Sequence, residues 1–104
     1  MEIAQTILAQ LGGNRFAAMT GAKNFLGKPK ALQFSLPARF AQNKATIVEV
    51  ELNEAHDLYV LRFYKFNRAK LSSQLIEEID QVHVEDLRRI FTDRTGLEAS
   101  LGVA

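Results

Sequence analysis

Three runs of alternating apolar residues lie so close together that the chain has no room to cross over between them. Leu32, Phe34 and Leu36 alternate with Ala31, Gln33 and Ser35, and Pro37 closes that run. Val48, Val50 and Leu52 alternate with Ile47, Glu49 and Glu51. The polar stretch Asn53–Asp57 is of hairpin length, and Leu58 to Phe66 returns from it. A period of two marks half-buried strands. Parallel neighbours need crossovers of about a dozen residues or more, so these strands must form an antiparallel meander. The returning run is apolar on both sides, with Tyr59, Leu61 and Phe63 on one and Leu58, Val60, Tyr64 and Phe66 on the other. It is either covered on both faces, or covered on one and offered to a partner on the other.

Helical spacing appears at both ends. Ile3, Ile7, Leu8 and Leu11 share one face of a helix over residues 2–11, and Gly12-Gly13 stops it. Val84, Leu87, Ile90 and Phe91 form a stripe over residues 83–95. Glu85 and Asp86 lie in its first turn, Arg94 in its last and Gly96 after it, as the helix dipole and the stop require. Between the first helix and the alternating runs, Arg15–Met19 reads as a short strand and Thr20–Lys30 as loop punctuated by Gly21, Gly27 and Pro29. Leu75, Ile76, Ile79 and Val82 have helical spacing, but Ser72-Ser73 and Asp80-Gln81 interrupt it. Residues 67–82 therefore read as a short irregular or strand-like segment. The tail after Leu101 is expected to fray. The predicted architecture is a two-layer α+β domain over residues 1–104. It has an N-terminal helix, an antiparallel sheet of about four strands and a C-terminal helix, with the helices on one sheet face.

Composition narrows the chemistry. At 104 residues, 47% apolar and 24% charged, the chain reads as one ordered globular domain. It has no cysteine, hence no disulfide framework, thiol nucleophile or thiolate metal site. No apolar run approaches the roughly 20 residues that span a bilayer. The start Met-Glu-Ile-Ala has an acid where an export signal carries cations, so the expected location is the cytoplasm. No nucleophile elbow, Walker loop or dinucleotide fingerprint is present. His83 reads as a helix cap rather than a metal ligand, with His56 in a hairpin loop. Glu77, Glu78 and Asp80 would need burial and a shifted pKa to act as acid or base, and so polar a run belongs on a solvated face. The expectation is a non-enzymatic protein without a cofactor.

The net charge of +1 hides a strong asymmetry. Met1–Lys44 carries six cations against one acid, whereas Ser73–Ala104 carries three cations against seven acids. Such a dipolar molecule suits an electrostatically guided contact with a polyanion or another protein. Leu61–Lys70 interleaves aromatics with cations, and proteins that hold single strands stack bases on rings while cations follow the phosphates. Arg62, Tyr64 and Phe66 would share one strand face, with Lys65, Arg68 and Lys70 close by. Lys23, Asn24, Lys28 and Lys30 of the loop, together with Arg39 and Lys44, would either extend that surface or serve as solubilising residues scattered over several faces. The plainer alternative puts Tyr64 and Phe66 in the core, with Arg62 and Lys65 reaching past them to water.

The segment Leu11-Gly12-Gly13-Asn14-Arg15-Phe16-Ala17-Ala18-Met19-Thr20-Gly21-Ala22-Lys23-Asn24-Phe25 resembles a group of small proteins carried by bacteriophages and integrated mobile elements. Their shared pattern is close to L-G-G-N-x-F-x-x-M-T-G-A-K-N-F. Phe34–Pro37 and Ile90–Leu97 also resemble that group's strand and closing helix, while residues 67–82 depart from it. The group has no assigned activity. The resemblance implies phage or mobile-element origin and an accessory role near genes that handle DNA. It draws attention to Thr20–Asn24, which can present backbone N–H groups, a lysine and an amide to a phosphate. The same residues also fit a structural turn with Gly21 at positive φ. Two function classes follow: an electrostatic nucleic-acid binder, with single-stranded DNA among its candidate ligands, or a protein-interaction module, as a homodimer or a binder of a host factor. The interaction module would use exposed apolar positions of Leu58–Phe66 or Val84–Phe91.

Overall fold

The computed structural model describes residues 2–97, so the tail beyond Leu101 lies outside the described residues. Helix α1 (Glu2–Leu11) and helix α2 (Gly13–Thr20) precede strands β1 (Lys23–Lys28), β2 (Ala31–Ser35), β3 (Ile47–Asn53), β4 (Leu58–Asn67) and β5 (Ser72–Val82). A single 3₁₀ turn, Val84–Asp86, then leads into helix α3 (Leu87–Thr95). The strands form one antiparallel sheet in sequence order, β1-β2-β3-β4-β5, as a meander without crossovers must. The architecture is α+β, with helices at both ends and five strands where the sequence predicts about four. Among the described residues no helix is long and apolar enough to cross a membrane.

The core fills one side of the sheet. Leu32, Phe34, Val48, Val50, Tyr59, Leu61 and Phe63 point to it, and Ile7, Leu11, Phe16, Leu87 and Phe91 cover them. The ring of Phe16 lies edge-on to Phe34 at 5.3 Å and to Phe91 at 5.2 Å, so three elements meet at an aromatic cluster. Edge-on pairs of this kind add about 0.5–1.5 kcal/mol each beyond burial. Among the described residues, strand β4 is therefore covered on one face only.

Three local expectations are corrected. Arg15–Met19 is helical, not a strand. Only Phe16 and Thr20 of α2 are buried, four residues apart on one helix face, and Ala18 is exposed. The segment read as a loop, Thr20–Lys30, contains the edge strand β1, whose first four residues are exposed. Asn24 at φ 58° and an irregular register between Lys23 and Leu26 give it the look of a loop. Of the two readings of residues 67–82 the strand-like one holds, but the strand, Ser72–Val82, is eleven residues long rather than short.

Two further expectations concern caps. Gly12 and Gly13, at φ 128° and 63°, do end α1. His83 occupies the cap position of the 3₁₀ turn, yet its side chain makes no capping bond; its carbonyl accepts the Asp86 N–H instead.

Candidate nucleic-acid interface

Strand β4 outruns β3, and the loop from Leu36 to Thr46 occupies the gap. The last β3–β4 pair is Ile47 with Tyr64, so Lys65–Asn67 pair only with β5. On the other side Thr46 takes over: its N–H donates to the Tyr64 carbonyl at 2.8 Å, and its Oγ1 accepts the Phe66 N–H at 2.9 Å. The loop closes on itself through the Leu36 N–H and the Thr46 carbonyl at 2.8 Å. Inside it, turns join Phe40 N–H to Pro37 O and Lys44 N–H to Ala41 O. The Gln42 N–H donates to Thr95 O at 2.7 Å and ties the loop to the end of α3.

Between this loop and the end of β4 lies a cleft of about 560 Å³. Its lining includes Arg39, Lys44, Lys65 and Arg68, together with Thr46 and Phe66, and among the described residues contains no carboxylate. Among the described residues none of these four cations is ion-paired. Arg39 and Lys44 sit at φ 70° and 65°, a left-handed conformation that costs a side-chain-bearing residue about 1–2 kcal/mol. Phe66 is 41% exposed and Phe40, at the loop tip, 63% exposed.

The other predicted site residues are elsewhere. Arg62 lies mid-sheet and is claimed by carboxylates of two neighbouring strands: Glu49 at 3.3 Å, Glu51 at 2.7 Å and Glu78 at 2.6 Å. Bonds to Glu51 and Glu78 raise its pKa further and keep it charged throughout the working range. Lys28 donates to the same Glu49 at 2.6 Å, and Lys30 pairs with Glu54 at 3.0 Å across the far end of the sheet. These three cations balance acids. Lys23 heads the row Lys23–Ser35–Ile47–Tyr64, which reaches the end of the sheet beside the cleft. Asn24 is exposed beside it on the outer strand, and Lys70 is exposed in the β4–β5 turn. Tyr64 is half-buried on the open face opposite Ile47 and Leu75. The plainer expectation therefore fails for both rings: Tyr64 is half-buried on the open face and Phe66 is exposed, and neither belongs to the core.

The phosphate-cradle expectation for Thr20–Asn24 fails as well. Thr20 is buried, its hydroxyl donates to Phe16 O and accepts the Ala22 N–H, and the Gly21 N–H is spent on Ala17 O. Those groups hold a turn with Gly21 at φ 76°. Glu77 and Glu78 are ion-paired with Arg94 and Arg62, and among the described residues no three acids or histidines gather as a metal site would require.

Counting back from the hairpin would have placed Glu49 opposite Arg62. Gln42 and Thr46 carry no such signal, because their role depends on where the loop closes. No family model matches this chain, and the searches of curated proteins and solved structures return no match.

Proposed function

We propose that this chain is a non-enzymatic, nucleic-acid-binding accessory protein that grips the phosphate backbone in the cleft between the Leu36–Thr46 loop and the end of β4. One observation carries the reading. Four cations without carboxylate partners among the described residues line one concave surface, while Arg62, Lys28 and Lys30 are neutralised by acids. Backbone contacts through Lys and Arg are electrostatic and sequence-independent. The phage or mobile-element origin implied by the resemblance, and a place in the cytoplasm, both suit that role.

Salt dependence tests it. Four contacts to a single strand give a slope of about −3 in log affinity against log salt, a loss of roughly 50-fold between about 50 and 200 mM. Affinity that ignores salt, or no binding to single strands, duplex or RNA, defeats the proposal.

A protein-interaction role is the second reading, favoured by exposed Leu75 and Ile76 on the edge strand β5 and by exposed Val84. The two bulges in β5 oppose simple sheet extension, since irregular edges discourage pairing. Sedimentation at two concentrations tests the homodimer form, which a strict monomer removes.

A further inference from the structure

We infer that the cleft is built for a single strand, with one base stacked on Phe66 while the cations hold the flanking phosphates. This rests on the nucleic-acid reading above and adds the ligand class. A phenylalanine adds nothing to a phosphate contact, and leaving its ring in water forfeits burial. Phe66 nevertheless lines the basic cleft at 41% exposure, whereas Phe63, three residues earlier on the same strand, is fully buried.

The ring is carried by a fixed backbone. Phe66 pairs with Ser73 of β5 on one side and donates its N–H to Thr46 Oγ1 on the other. A platform on a strand held from both sides is set before the ligand arrives. The cations are set too. Arg39 and Lys44 project from a loop closed by the Leu36–Thr46 bond and pinned to Thr95, and both retain a left-handed backbone. Strain of this kind persists only where the surroundings impose it.

The ligand's shape decides between strands. In a duplex the bases are stacked on one another, and a ring in a cleft finds only a convex sugar–phosphate surface. A cleft of about 560 Å³ is on the scale of a small-molecule site and has room for a single base. A single strand can turn a base into it, and stacking tolerates any base because each has a π face.

The test compares three labelled ligands: oligothymidylate, an abasic phosphodiester strand of equal length, and a duplex. Each is measured against the intact protein and Phe66→Leu, which keeps an apolar side chain and removes the aromatic face. Oligothymidylate is expected to bind about 5- to 150-fold tighter than the abasic strand, and Phe66→Leu to abolish that gap while leaving abasic binding unchanged. Because the chain has no tryptophan, Phe66→Trp adds a lone reporter whose fluorescence oligothymidylate should quench and the abasic strand should not. Equal binding of the two strands, or a gap that survives Phe66→Leu, overturns the stacking inference while leaving the electrostatic reading intact. No binding of any of the three overturns both.

Discussion

Thr20 and Thr95 end two different helices with the same pair of hydrogen bonds. Each hydroxyl donates to the carbonyl four residues back, Phe16 O and Phe91 O, both at 2.8 Å. Each oxygen then accepts the N–H two residues on, from Ala22 and from Leu97, both at 3.2 Å. Gly21 and Gly96 follow at φ 76° and 74°, and the phenylalanines that open the two turns meet ring to ring. The spacing Phe-x-x-x-Thr-Gly is thus used twice, at residues 16–21 and 91–96, to terminate two helices against one aromatic cluster.

Replacing either threonine by valine keeps the shape and removes both bonds, leaving a backbone N–H without its acceptor. Each variant should lose about 1–3 kcal/mol in urea denaturation at unchanged m-value, and serine should restore most of it. A valine variant as stable as the parent would show that these hydroxyls are incidental.

The glycines separate conformational strain from collision. At Gly13, φ 63°, an added Cβ meets nothing within 4 Å; at Gly21 it would lie 2.7 Å from Pro37 Cγ. Gly13→Ala should cost about 1 kcal/mol and Gly21→Ala clearly more, because a proline ring cannot swing aside. Equal denaturation midpoints for the two would contradict the ordering.

Arg62 is a structural clamp between β3 and β5. Arg62→Met leaves Glu49, Glu51 and Glu78 facing one another around a methyl-tipped chain. A loss of about 1–2 kcal/mol is expected for this half-exposed network, partly relieved by Glu49→Gln in a double-mutant cycle. Nucleic-acid affinity should not change. An affinity loss without a stability loss would return Arg62 to the binding surface.

Tyr59 gives the pH signature. Burial raises its pKa, Asp57 adds to the rise, and the hydrogen bond to Gln10 opposes it. The fold therefore favours the neutral phenol. Its full contribution is present below the unfolded pKa near 10 and is lost as pH rises past that value. Tyr59→Phe lacks this term. The gap between the two melting temperatures should be constant up to about pH 9 and narrow above 10; a gap that widens there would reverse the sign.

Where side chains alternate cleanly, the sequence predicts the sheet: β2 from Leu32 onward, β3 and β4 bury alternate residues. Strand β5 does not, and its register shows why. Leu61 faces Ile79 and Tyr59 faces Val82, while Phe63 faces Glu77 and Tyr64 faces Leu75. Each shift inserts one residue into β5, so its core-facing positions Glu77, Ile79 and Val82 are spaced by two and then three, which mimics a helix. Helix α2 fails for another reason: at eight residues with two buried, it has too few turns to display a period. Lys65 and Arg68 were legible in the aromatic–cationic run. Their separation from Arg62 was not, because it depends on acids of the neighbouring strands, Glu49 and Glu51 of β3 and Glu78 of β5.

Moving a charge reversal around the molecule, at constant total charge, separates the cleft from the rest of the surface. Lys44→Glu, Arg68→Glu and Lys30→Glu each change the net charge equally, but only the first two alter the cleft. Anisotropy of a labelled single strand at about 50 mM salt should show losses of about tenfold for Lys44→Glu and Arg68→Glu, with the salt slope reduced by about 0.7 or more, and near-parental binding for Lys30→Glu. Equal losses for all three would mean that the strand responds to net charge alone, and the cleft would not be the site.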